Sequence, residues 1–301
     1  MLDSFEAYLT INCYTADTID TYLGSVGKFL IWCSQKDYDP EQMTYRQCTE
    51  YFNTLKAVTT KKGTPYRGVT IRNYIGAIKL YFTYLVFEDI RNLNPIEDFD
   101  YLTDKDFNHN LLTKSELRNL YICFPTLDIQ HPSCPSVAIR DKVITGLCVF
   151  QGLNSSALKS LNVDHVDLDK RKIRIPGTNR TNTRVLALNE YQLAHLSSYI
   201  SHHRAELQNK INCYSESLFM VNSNRLSCII NPLGRKLRAL NYKVTNLKQI
   251  RASVITIWLQ QYDLRKVQIM AGHKHITSTE SYKKSNPDAL RSAADVYHLM
   301  R

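Results

Sequence analysis

Apolar residues recur at steps of three and four through most of this 301-residue chain, which restricts it to a mainly α fold with room for only a small β-sheet. Ile19, Tyr22, Leu23, Val26, Phe29, Leu30 and Cys33 form one such stripe, with Thr15 or Asp17 placed to cap it, and the stripe must face a core. A second run, capped near Thr70, puts Ile71, Tyr74, Ile75, Ile78, Phe82 and Leu85 on one face and stops before Asn94-Pro95. A shorter helix spans Tyr45 to Leu55 between them. Thr113-Lys-Ser-Glu116 reads as a capping box opening a helix that reaches Phe124, and Val143 to Phe150 reads as a further apolar helix. The period changes only at Lys172–Ile175 and Arg184–Leu188, which flank Pro176-Gly-Thr-Asn179 as a β-hairpin. After Asn189 the helical period returns, broken by turns at Asn222 and Pro232.

Between Ile96 and Asn110 the chain turns acidic and aperiodic, with Glu97, Asp98, Asp100, Asp104 and Asp106. That composition marks a linker over 96–110, separating a helical domain at 1–95 from a second domain at 111–301. Lys and Arg outnumber Asp and Glu by 38 to 28, a net charge of +10, so a polyanion is the favoured partner and nucleic acid the leading kind. The stretch from Thr59 to Gly68 is basic and turn-rich. Its Lys61, Lys62 and Arg67, with Arg72 just beyond and Arg184 in the second domain, are the candidate DNA-binding cations. The stretch either touches phosphates or is a solvated connector. Eight cysteines without a CxxC pair read as small buried hydrophobes in a reducing compartment rather than as a metal site. No signal peptide opens the chain and no apolar run has membrane-spanning length, so the expected location is the cytoplasm, without a membrane partner.

Three groups near the C-terminal end ask for a joint explanation. Lys248 and Arg251 stand three residues apart, which puts both cations on one helix face. A second helix runs through Leu264, Val267 and Met270 to Gly272-His273, where the Gly ends the helix and leaves the His projecting from the turn. A third carries Tyr282, nine positions past the His. Taken singly, each has a plainer explanation: Tyr282 is one of 19 tyrosines, Arg251 a salt-bridging helix residue, Lys248 a solvated one and His273 a helix cap.

Together, Lys248-Gln-Ile-Arg251, Ala271-Gly-His273 and Ser281-Tyr282 resemble the tyrosine recombinase, or phage integrase, family, whose members end with an HxxR motif, a Gly-His and a nucleophilic Tyr at that distance. The resemblance covers nearly the whole chain. Arg140-Asp-Lys and Phe150-Gln-Gly-Leu-Asn154 are similar to the family's first box, and Val163-Asp-His-Val-Asp-Leu-Asp169 to the segment leading into its hairpin. It implies an N-terminal helical core-binding domain and a C-terminal α+β catalytic domain that close as a clamp on double-stranded DNA. It implies a site-specific recombinase or integrase of a mobile element, working as four protomers on two DNA sites through a 3′-phosphotyrosyl intermediate, with no metal or small-molecule cofactor. Tyr282 is then the nucleophile, and Arg251 and His273 hold the phosphate as an oxyanion hole does.

The sequence departs from the family at three places. Asn154 stands where the first box has its arginine, Ala157 where it has an acidic partner, and no lysine occupies the hairpin turn near Thr178. Arg180, on that turn, either supplies the missing charge at the scissile phosphate or only grips the DNA backbone, while Lys248 takes the place of the first motif His. The tail from Ala289 to Met300 either docks on a neighbouring protomer or packs on its own domain. The competing expectation is a catalytically impaired DNA-binding accessory protein derived from a recombinase. A helical transcription regulator would leave the Gly-His to Tyr spacing unexplained.

Overall fold

The stripe over residues 19–33 is buried as a helix requires: Ile19, Val26, Phe29 and Cys33 line the inner face of α2 (Ala16–Gln35). The computed structural model describes residues 2–60, 63–101, 110–126, 135–178, 181–219 and 226–284, and the chain divides into two compact units, Met1–Asp106 and Phe107–Arg301. In the first unit α2 packs with α1 (Leu2–Ile11), α3 (Tyr45–Ala57) and α4 (Gly68–Phe87). The core is aromatic. Phe29 meets Tyr51 and Phe82 edge-on, with ring centroids 5.2 and 5.8 Å apart. Thr44 starts α3 through a capping box in which its hydroxyl accepts from the Gln47 amide while Gln47 Oε1 accepts from the Thr44 amide.

Two boundaries differ from the periodic pattern. The helix expected to begin at Thr70 starts at Gly68, with Arg67 at its N-cap, and ends at Phe87. Ile96 is buried, and Phe99 and Tyr101 pack on the same core, so the first residues of the acidic stretch belong to this unit. Hydrophobic burial outweighs local acidity there.

The second unit is built around α6 (Pro135–Gln151), longer at its N-terminal end than the run from Val143, which buries Val143, Ile144, Leu147 and Cys148. Around it lie α5 (Lys114–Ile122), opened by the Thr113–Glu116 capping box, α7 (Ser155–Lys159), α8 (Glu190–Ser198), α9 (Arg204–Ile211) and α10 (Leu226–Leu240). One π-helical turn, Tyr199–His203, joins α8 to α9 and lets the buried Tyr199 hydroxyl donate to the Leu218 carbonyl at 3.0 Å. Pro232 lies inside α10 rather than in a turn. Leu226, Leu233 and Leu237 anchor that helix to the core on both sides of the proline, and their burial offsets the lost backbone hydrogen bond. Asn222 lies outside the described residues, as does the tail from Ala289 to Met300.

The hairpin is present as β2 (Lys172–Ile175) and β3 (Arg184–Ala187), joined by a two-residue β1 (Val166–Asp167) into an antiparallel sheet of order β1-β2-β3. Register pairs Ile173 with Leu186 and Ile175 with Arg184. Strand alternation therefore places Ile173, Ile175, Leu186 and Arg184 on one inward face. The unit ends in α11 (Leu247–Gln261), α12 (Leu264–Ala271) and α13 (Thr277–Lys284). Cys33, Cys48 and Cys148 are buried as expected, whereas Cys13, Cys123 and Cys228 are exposed. No helix among the described residues is long and apolar enough to cross a membrane.

Two glycine substitutions separate the effects of helix propensity and packing. Gly76 on α4 has open space where a Cβ would stand, so Gly76→Ala is expected to stabilise by about 0.5–1 kcal/mol. A Cβ on Gly146 would lie 2.9 Å from the Tyr121 ring, which hydrogen bonds to the Tyr191 carbonyl (3.1 Å) and His195 Nδ1 (3.0 Å) hold in place. Gly146→Ala should therefore destabilise by about 1–3 kcal/mol. Urea unfolding of the two variants would show shifts of opposite sign.

Candidate active site

Asn246 caps α11 by accepting from the Gln249 amide at 2.9 Å, and one turn further the helix aims Arg251 inward. Arg251 is only 7% exposed. Its Nη1 donates to the Gly152 carbonyl at 2.7 Å, and its Nη2 donates to the Ala271 carbonyl at 2.8 Å and to His273 Nε2 at 3.2 Å. Gly152, at φ 60°, turns the chain between α6 and α7 so that its carbonyl meets the guanidinium.

Gly272 ends α12 in the left-handed region at φ 73° and presents His273 to Arg251. Gln268 fixes that turn: its side-chain amide donates to the carbonyls of His273 (3.0 Å) and Lys274 (3.2 Å). On the other ring nitrogen, His273 Nδ1 pairs with Thr279 Oγ1 at 2.9 Å. Because a guanidinium can only donate, Nε2 carries the lone pair and Nδ1 the proton. Thr279 is wholly buried and sits three residues before Tyr282, on the same side of α13. The Tyr282 ring stacks on the His273 ring, with centroids 5.7 Å apart and planes 7° from parallel, against Ile255, Val267 and Ala271. Burial lowers the Arg251 guanidinium from its ordinary value, and the neighbouring Tyr282 hydroxyl, as charge and hydrogen-bond partner, opposes that shift.

The hairpin reaches the same turn. Thr181 bridges to His273, and the Asn182 amide donates to the Gly272 carbonyl at 2.9 Å. This seats Arg184, grouped by sequence with the DNA-binding cations, beside Gly272 at 5% exposure, where strand alternation turns it inward. Arg251, His273 and Tyr282 are thus brought together. Lys248 does not join them: it is exposed on the first turn of α11, while its neighbours Leu247 and Ile250 face the core. Arg67 and Arg72 are exposed at the start of α4 in the first unit. Lys61, Lys62 and Arg180 lie outside the described residues. Asn154 accepts from the Ala157 amide at 2.9 Å and so caps α7, with Ala157 buried beneath it. Sequence reasoning missed Gln268, Thr279 and the inward face of Arg184. The signals were present in the Thr279 to Tyr282 spacing and in the alternation of Arg184, Leu186 and Leu188.

Burial, then Arg251, then Arg184 bring the His273 imidazole down from 6.5 to about 4, so it is neutral at pH 7. The unfolded chain takes up a proton below 6.5 that the folded one refuses until about 4, so the contribution of His273 to stability is complete above 6.5 and lost as pH falls through that window. The melting temperature of the wild type minus that of His273→Gln should therefore shrink between pH 7 and pH 4.5. A difference that stays constant with pH would contradict the depressed value.

The profile of the phage integrase family matches residues 111–288, and that of the phage integrase N-terminal SAM-like domain matches residues 1–92. Tyrosine recombinase XerC of Roseiflexus castenholzii is 29% identical over 242 residues, covering 74% of this chain and 70% of the relative. Tyrosine recombinase XerA of Pyrococcus furiosus is 25% identical over 309 residues, covering 100% of this chain and 94% of the relative. Among solved structures, the Tn1549 transposon integrase in complex with circular intermediate DNA has a TM-score of 0.65 at 16% identity, over 93% of this chain and 94% of that one. The lambda integrase dimer bound to a core site has a TM-score of 0.63 at 14% identity, over 93% of each chain. Those two likenesses are of fold, and the profile carries the assignment: the chain belongs to the phage integrase family, the tyrosine recombinases.

Proposed function

We propose that the protein is a site-specific DNA recombinase that cleaves and rejoins duplex DNA through a phosphotyrosyl intermediate on Tyr282. The observation that carries this reading is the contact of three side chains from α11, the turn after α12, and α13: Arg251 donates to His273 at 3.2 Å, and His273 stacks on Tyr282 at 5.7 Å. In the reaction, the Tyr282 oxygen attacks the scissile phosphorus and loses its proton. The bond from phosphorus to the 5′ oxygen breaks, and that oxygen leaves as a hydroxyl with a proton gained. One phosphodiester is exchanged for another, so a second strand's 5′ hydroxyl reverses the step without an external energy source. Arg251 donates to the non-bridging oxygens where charge gathers, and His273 orients it. Lys248, exposed one helical turn away, is a further contact to the DNA backbone, and Arg180, between β2 and β3 in the sequence, another.

DNA as the partner is supported by the net charge of +10 and by structural neighbours solved as integrases on DNA. Four protomers on two sites is the assembly this chemistry needs, because two duplexes must exchange two strands each. A second reading, an accessory protein that binds DNA without cutting it, is favoured by the use of Asn154 as a helix cap in place of a charged group. One experiment separates the two. Genomic fragments of the source organism are incubated with protein, denatured and examined for covalent adducts. Adducts present with the wild type and absent with Tyr282→Phe support the recombinase; DNA retained without any adduct supports the accessory protein.

A further inference from the structure

Among the described residues, Arg184 is a cation without a counter-charge in a place where one is required. Its Nε and Nη1 are sealed from solvent and have no hydrogen-bond partner among the described residues. None of the ion pairs among the described residues includes Arg184 or Arg251. Burial first, and then the charge of Arg251, bring the Arg184 guanidinium down to about 10, which still leaves it protonated at neutral pH. Sealing an unpaired charge and two unsatisfied donors is costly, and folded proteins retain such a group where a ligand completes it.

The surroundings define that ligand. An added Cβ on Gly272 would lie 2.5 Å from Arg184 Nη1 and 3.0 Å from its Cδ and Cζ, so the guanidinium rests directly on the turn that presents His273. The charges of Arg184 and Arg251 both act on the His273 ring. Two guanidinia therefore converge on one imidazole, with Tyr282 stacked on its face. Two fork-shaped donors of like charge, kept together without a carboxylate, fit a tetrahedral oxyanion that each can grip by separate oxygens.

We propose that Arg184, from the first residue of β3, is the second guanidinium that holds the non-bridging oxygens of the scissile phosphate, supplying the charge that Asn154 does not. The assignment rests on the recombinase reading for the identity of the phosphate. Asn154 stands two residues past the carbonyl gripped by Arg251 and is neutral, with its Oδ1 engaged by the Ala157 amide. The positive charge at the pocket thus comes from the sheet rather than from the start of α7. Arg184 acts only through hydrogen bonds and charge, and no proton leaves it.

The test uses the full chain and two readouts. On a captured cleavage site bearing the ordinary phosphodiester, Arg184→Met is expected to slow adduct formation by about 10²–10³-fold, the usual loss for one oxyanion donor, and Arg184→Lys by less. On the same duplex with a neutral methylphosphonate at the scissile position, which has no charge to balance, the Arg184→Met deficit should nearly vanish. A deficit of equal size on both substrates would mean that Arg184 only supports the fold, and the assignment would fall. Separately, inorganic phosphate should raise the melting temperature of the wild type more than that of Arg184→Met. Equal rises overturn the anion site whatever the DNA experiment gives. A phosphate-dependent difference in a protein that forms no Tyr282 adduct keeps the anion site and rejects the recombinase.

Discussion

The second unit is organised around the burial of Arg251. A guanidinium at 7% exposure must place its donors, and here the acceptors are the carbonyls of Gly152 and Ala271 and the ring nitrogen of His273. Each such charge-assisted bond contributes about 1.5–3 kcal/mol. In satisfying one side chain, the fold joins the turn after α6, the body of α11 and the end of α12. A carboxylate would have solved the same burial problem more simply. It would also have neutralised the cation, whereas carbonyl dipoles stabilise the charge and leave it available to an incoming anion.

The Gly-His turn extends that logic to the sheet. Gly272 has to reach φ 73° to end α12, which by itself favours glycine. The missing side chain has a second consequence, because the Arg184 guanidinium fills the space a Cβ would take. With Asn182 donating to Gly272 and Thr181 bridged to His273, the hairpin and the Gly-His turn are joined as one piece. Two guanidinia then fix the state of His273. Its burial and then their fields keep the ring neutral, and Arg251, which can only donate, selects the tautomer with the lone pair on Nε2, leaving the Nδ1 proton to Thr279.

Much of this was legible in the chain itself, for reasons that differ by element. Helical stripes such as Ile19 to Cys33 are repeated statements of one constraint, so the pattern survives local noise. The spacing of Arg251, Gly272-His273 and Tyr282 was readable because a cap, a turn and a short helix fix the distances between them. Pro232 was misread because proline disfavours a helix only locally, while Leu226, Leu233 and Leu237 hold the helix through tertiary burial. The burial of Arg184 is legible in its alternation with Leu186 and Leu188, a signal that its charge alone does not carry. Gln268 left no such pattern. Its role is to tie two carbonyls of a tight turn, and that depends on backbone geometry which periodicity does not encode.

Asn154 and Arg184 are best understood as one arrangement. An arginine at 154 would give up the cap on α7, a loss of about 0.5–2 kcal/mol. It would also bring a third cation toward a pocket where Arg184 and Arg251 already depress each other's neighbour His273. Like charges disfavour one another steeply in a buried setting. This site therefore accommodates two buried guanidinia more readily than three. With Arg184 seated beneath Gly272, a neutral, helix-capping residue at 154 is the choice that electrostatics and local structure both favour.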